Sequence, residues 1–188
     1  MSYVFVQAGK RKLGYDMAEV DAFLDLARQQ YNDPSRQLLK SLDVRAIRFK
    51  LVKNGYSISV VDAALEKLED TFASAEFSKE VRTQGFFEFE EDLVNQRAEL
   101  VARCNRPSKK KFTKRKYPNK GYSVKQVDQL CSQLGKSLET KADLSVKEVR
   151  TATFKSKRGG YAEYQVDAFL ESVVESIQRQ QAIQKSNR

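Results

Sequence analysis

Four aspartates, Asp21, Asp62, Asp128 and Asp167, each follow a valine and each lie six residues after a tyrosine: Tyr15, Tyr56, Tyr122 and Tyr161. A carboxylate at a fixed distance from a phenol can act as a general base or metal ligand, or it can accept a structural hydrogen bond. A catalytic or metal-binding carboxylate would not need four copies, and these four share no histidine or second acid. The chain has no histidine at all, which removes the commonest base near neutral pH and the commonest metal ligand. It also lacks a nucleophile elbow, a phosphate-binding glycine loop and a paired-carboxylate motif. The aspartates therefore read as structural acceptors for loop amides or a tyrosine hydroxyl. No catalytic, metal or cofactor site is expected, and an enzyme is not expected.

The remaining side chains able to do chemistry are cations. Net charge is +9, and residues 105–188 hold 19 basic and 8 acidic side chains, a net +11. Between Asn105 and Lys120 lie eight basic residues and no acid. Pro107 and Pro118 make this stretch a loop rather than a helix. Such a run reads as a solvated linker, as a contact for an anionic membrane surface, or as a nucleic-acid contact with Phe112 and Tyr117 interleaved for stacking. Phe112 matches an aromatic that recurs elsewhere and is expected in the core. The candidate anionic-surface residues are Lys10, Arg11, Lys12, Leu13, Lys109, Lys110, Lys111, Lys114, Arg115, Lys116, Lys157 and Arg158, with Lys155 in the same loop as the last two.

The elements that position these groups are repeated. Each tyrosine follows a glycine, giving a signature of Gly14, Tyr15, Val20 and Asp21; Gly55, Tyr56, Val61 and Asp62; Gly121, Tyr122, Val127 and Asp128; Gly160, Tyr161, Val166 and Asp167. Matching tyrosines are offset by 107 and 105 residues, so a long-loop unit and a short-loop unit are duplicated together. A Phe opens each copy: Phe5, Phe49, Phe112 and Phe154. The glycine serves either a positive φ or a close approach to a neighbour. A helix follows each copy, with Asp16 and Glu19 spaced as a capping box and Ser123 and Gln126 repeating the pattern. Apolar residues then recur at helical spacing: Val20, Phe23, Leu24, Ala27; Val61, Ala64, Leu65, Leu68; Val127, Leu130, Cys131, Leu134; Val166, Phe169, Leu170, Val173. Helices this short must pack on a neighbour.

The run Gly14-Tyr15-Asp16-Met17-Ala18-Glu19-Val20-Asp21-Ala22-Phe23-Leu24, with Gly160-Tyr161 through Val166-Asp167-Ala168-Phe169-Leu170, resembles the signature of the DivIVA domain of bacterial cell-division and polar-growth proteins. The whole chain resembles tandem DivIVA-domain repeat proteins of high-GC Gram-positive bacteria. That resemblance implies a cytoplasmic, non-enzymatic adaptor or scaffold, peripheral at the inner face of the membrane. Its implied partners are proteins of the division or growth machinery and an anionic membrane surface. Nucleic acid is the alternative partner, and a small-molecule ligand is not expected. The tips just before Gly-Tyr are Lys12-Leu13, Lys53-Asn54, Asn119-Lys120 and Arg158-Gly159, so Leu13 is the one apolar candidate for shallow insertion.

The expected fold is mainly α with short extended loops or strands, in four repeats of aromatic, basic loop, Gly-Tyr and short amphipathic helix, arranged as two duplicated pairs. The expected boundaries are 1–72 for the first pair (about 1–32 and 41–72), 73–104 for a helical acidic linker, 105–178 for the second pair (about 108–138 and 143–178) and 179–188 for a flexible tail. Phe86, Phe87 and Phe89 in the linker are expected to cover the seam between halves or to form a partner surface. No apolar run is long enough to span a bilayer. Cys104 and Cys131 lack metal-ligand spacing, and Cys131 falls on an apolar stripe as a core thiol.

Overall fold

The computed structural model describes residues 5–9, 11–36, 38–140 and 145–186. The chain is mainly helical with short strands, and it divides into two compact units between Lys79 and Glu80.

The first unit contains strand β1 (Leu13–Tyr15), helices α1 (Met17–Asn32) and α2 (Ser41–Ala46), strand β2 (Leu51–Lys53) and most of helix α3 (Ile58–Gln84). β1 and β2 pair antiparallel, with Leu13 opposite Lys53, Gly14 opposite Val52 and Tyr15 opposite Leu51. Where β2 leads into α3, Tyr15 and Tyr56 exchange backbone hydrogen bonds of 3.0 and 2.9 Å. This brings two glycines back to back. A Cβ on Gly14 would lie 2.3 Å from the Tyr56 carbonyl oxygen, and one on Gly55 would lie 2.3 Å from that of Tyr15. Close backbone approach, not a positive φ, is what demands glycine in the signature. Val20, Phe23, Ala27 and Val61 are buried, as the helical spacing predicts, with Phe5, Val44 and Phe72 around them.

Asp16 caps α1, its carboxylate accepting the Ala18 and Glu19 amides at 2.9 and 3.2 Å. The reciprocal half of the expected capping box does not form. The Asp16 amide donates to the Lys50 carbonyl at 2.9 Å, and the Glu19 carboxylate accepts the Lys50 amide at 2.9 Å. The segment entering β2 lies close enough to take both groups. The second unit does the same: the Ser123 amide donates to Lys155, whose own amide donates to the Gln126 side chain at 2.8 Å.

The second unit contains α4 (Phe86–Cys104), β3 (Lys120–Tyr122), α5 (Val124–Thr140), α6 (Val146–Arg150), β4 (Ser156–Arg158) and α7 (Glu163–Ser186). β3 and β4 pair antiparallel, Lys120 opposite Arg158, Gly121 opposite Lys157 and Tyr122 opposite Ser156. Tyr122 and Tyr161 exchange backbone bonds of 3.0 and 2.9 Å. A Cβ on Gly121 would fall 2.2 Å from the Tyr161 carbonyl oxygen. The core joins Leu100 and Cys104 of α4 to Phe112, Val127, Cys131, Leu134, Tyr161, Val166, Val173 and Ile177. Cys104 and Cys131 are both free and buried, and their thiols hydrogen-bond to each other.

Two boundaries differ from those read in the sequence. Segment 73–104 is helical, but α3 runs unbroken to Gln84 because no Gly or Pro interrupts it. α4 packs on α5 and α7 and buries Phe89, Leu93, Leu100 and Cys104, so it is part of the second unit and not a linker. Phe89 lies under the Arg179 guanidinium, 4.9 Å from its ring centroid, while Phe87 is exposed. The expected flexible tail is helix as far as Ser186, with Ala182 and Ile183 buried. Its polar composition hid a buried face, in which Arg179 pairs with Glu80 and Glu175.

Replacing Gly121 or Gly14 by alanine should lower stability by about 1–3 kcal/mol in urea unfolding, because the added methyl meets backbone that cannot yield. Gly9→Ala is the control, since its Cβ would meet only the Lys12 side chain at 4.0 Å. Equal effects at the three positions would refute the close-approach explanation.

Candidate functional site

The four aspartates are acceptors, and their donors come from across the ribbon. The Tyr15 hydroxyl donates to Asp62 at 3.1 Å, and the Tyr56 hydroxyl to Asp21 at 3.2 Å. The Tyr161 hydroxyl donates to Asp128 at 2.8 Å, and that of Tyr122 bonds to Asp167. No tyrosine in this set uses the aspartate six residues after it. The aromatic contacts cross in the same way: Phe5 packs edge-on against Tyr56, Phe49 against Tyr15 and Phe112 against Tyr161, and Phe154 packs tilted against Tyr122.

Burial raises the pKa of all four tyrosines above 10.0, and the neighbouring aspartate raises it further. The phenols thus remain protonated donors. Asp128 does more than hold its tyrosine. It also accepts the Ser108 hydroxyl at 2.9 Å and the Lys109 amide at 2.8 Å, which pins the start of the basic loop.

That loop and β4 together form a basic surface. Lys114 and Arg115 lie beside Gly160 and Tyr161, through the Lys114–Tyr161 bridge and the bond from the Arg115 amide to the Gly160 carbonyl. Register then puts Lys120 opposite Arg158 and Gly121 opposite Lys157. Lys114, Arg115, Lys116, Lys120, Lys155, Lys157 and Arg158 are all exposed, as are Lys109 and Lys110 in the preceding turn. The Arg158 guanidinium lies over the exposed Tyr117 ring, 5.9 Å from its centroid.

Lys111 does not belong to the exposed basic surface expected from the sequence. It is buried, at 7% exposure, and its ammonium donates to the Cys104 and Arg106 carbonyls. The C-terminal end of α4 leaves carbonyls without helical donors, and a cation there satisfies them. Lys111 is therefore unavailable to an external anion. Phe112 is buried beside it, as expected.

In the first unit Arg11, Lys12 and Leu13 are exposed, whereas Lys10 lies outside the described residues. Leu13 is not the only exposed apolar group. Leu51 lies two residues before Lys53, the residue opposite Leu13, so alternation along β2 puts Leu51 on the same face as Leu13, each 52% exposed. Val6, Ile58 and Val60, also exposed, line a groove of about 570 Å³ with Leu13. Only the strand register reveals this patch, and single-residue tips do not.

No protein-family model, curated protein or solved structure matches the chain.

Asp128→Ala should cost about 1–3 kcal/mol, because it strands the fully buried Tyr161 hydroxyl and the donors of the Ser108–Lys109 turn. Thermal unfolding of this variant beside Asp167→Ala measures it, and an unchanged midpoint for both would contradict the assignment. The tyrosine shifts also set a pH dependence. A pKa raised on folding contributes stability that is complete below the unfolded value, near 10.0, and is lost as pH rises through the folded one. Unfolding midpoints should therefore fall above pH ~10, less steeply in Tyr161→Phe than in the parent.

Proposed function

We propose that this chain is a non-enzymatic tandem DivIVA-domain repeat protein, an adaptor or scaffold of bacterial cell division or polar growth. In this reading it is cytoplasmic and peripheral at the inner face of the cell membrane, held on anionic lipid by its basic loops. Four repeats arranged as two duplicated pairs provide its framework. Support for the framework is the position-by-position match of the crossed contacts: Tyr15 to Asp62 and Tyr56 to Asp21 in one unit, Tyr122 to Asp167 and Tyr161 to Asp128 in the other.

The observation that carries the binding reading is the exposed basic surface of the second unit, where one ribbon gathers cations from two loops. Each Lys or Arg near anionic lipid is worth about 1 kcal/mol before screening. No helix among the described residues is long and apolar enough to cross a membrane. Attachment through such a surface is electrostatic and reversible, and salt screens it over about 8 Å at physiological strength. A nucleic-acid reading stands second. It is favoured by the exposed Tyr117 within the basic loop, stacked on Arg158 and open to a base on its other face.

Sedimentation with vesicles tests the first reading. Acidic vesicles should retain the protein at low salt and release it as salt rises, and neutral vesicles should not retain it. Neutralising Lys109, Lys110, Lys114, Arg115 and Lys116 together should weaken retention more than Leu13→Ser. Salt-resistant binding to neutral vesicles would contradict the electrostatic account and point to the apolar face of the first unit. Salt-sensitive binding to single-stranded nucleic acid, lost in Tyr117→Ala and without vesicle retention, would favour the second reading.

A further inference from the structure

The basic residues of the second unit are not evenly spread over its surface. A groove of about 640 Å³ lies between the turn at Ser108 and Lys109 and the first turns of α5. Four lysines line it, Lys109, Lys111, Lys114 and Lys125, against one carboxylate, Asp128. Two of these charged groups are already committed. The Lys111 ammonium is bonded to backbone carbonyls, and the Asp128 carboxylate accepts Tyr161, Ser108 and Lys109.

Lys109, Lys114 and Lys125 remain exposed, without an ion pair among the described residues. Three uncompensated ammoniums around one concavity concentrate positive potential there beyond that of a flat surface. The Ser132 hydroxyl and the Gln129 amide stand on the same wall as neutral donors. Lys125 is the informative member, because it lies on α5, outside the basic loop, and the fold alone brings it to that loop.

We propose that this groove is a binding site for a phosphomonoester, carried on a lipid headgroup or free. The proposal rests on the anionic-surface reading and deepens it by naming the group recognised and where it binds. A phosphomonoester carries a charge of about −1.5 to −2 at pH 7, and three oxygens that accept strong hydrogen bonds. It matches three free ammoniums with hydroxyl and amide donors better than a singly charged phosphodiester does. Lysine holds such a group as a point charge, without requiring a planar fork.

The test compares two double variants that remove equal charge, K109Q/K125Q within the groove and K110Q/K116Q outside it. All four side chains are exposed, and matching melting temperatures establish that the fold is intact. Each protein is titrated with phosphatidylcholine vesicles containing phosphatidic acid, a phosphomonoester, or phosphatidylglycerol, a phosphodiester, at equal surface charge. Each is also titrated with free glycerol 3-phosphate, followed by amide chemical shifts. The groove variant should lose about tenfold or more in affinity for phosphatidic acid relative to the outside variant, a 1.4 kcal/mol difference. Both variants should lose similarly on phosphatidylglycerol.

Equal losses on both lipids would overturn the groove proposal while leaving the anionic-surface reading intact. Shifts at Gln129 and Ser132 with glycerol 3-phosphate, abolished in K109Q/K125Q but without vesicle binding, would support a site for the free ester and overturn the membrane reading. No response to vesicles or to the free ester would overturn both.

Discussion

In each unit, one constraint organises the rest: two backbones approach so closely at paired glycines that no side chain fits between them. Gly14 against Gly55 and Gly121 against Gly160 let Tyr15 bond Tyr56 and Tyr122 bond Tyr161 through the main chain. That contact fixes where four phenols emerge, and each reaches the helix that follows the opposite tyrosine. Because the pair is exchanged, a half-unit alone would lack these partners. Its helix would keep the aspartate and lose the tyrosine, and its phenylalanine would lose the ring it packs against. Burial of Tyr161 to zero exposure shows how far the exchange is integrated into the core.

The same scaffold carries two different surfaces. In the first unit the ribbon face presents Leu13 and Leu51 beside Lys53. In the second, the positions set by the same register hold Lys120, Ser156 and Arg158. The glycines and crossed tyrosines are kept, while the exposed face changes from apolar to basic. Framework and binding chemistry are therefore separable, and a function argued for one ribbon does not extend to the other.

Local features were legible in the sequence, and features that depend on distant partners were not. Recurrence of Gly-Tyr and Val-Asp located the ribbons, and helical spacing picked Val20, Phe23, Val127, Cys131, Val166 and Val173 as buried. The aspartate's acceptor role was also readable. The crossing was not, because Tyr15 and Asp62 are 47 residues apart and nothing local distinguishes Asp62 from Asp21 as the acceptor for Tyr15. Lys111 looked like its neighbours in the basic run, and only the carbonyls at the end of α4 set it apart. Composition misled at α4 and at the end of α7, where acidic or polar residues flank a periodic apolar face. Lys125 carries no distinguishing signal in the sequence, because it lies on a helix, where isolated charge is ordinary.

The most direct measurement of the crossed exchange is a pair of double-mutant cycles in the second unit. One combines Tyr161→Phe with Asp128→Ala, and the other combines Tyr161→Phe with Asp167→Ala, each read by equilibrium unfolding. The structure predicts a coupling of about 0.5–3 kcal/mol for the first cycle and additivity within about 0.5 kcal/mol for the second. Coupling in the Tyr161–Asp167 cycle, with additivity between Tyr161 and Asp128, would place each phenol on its own helix and contradict the exchange.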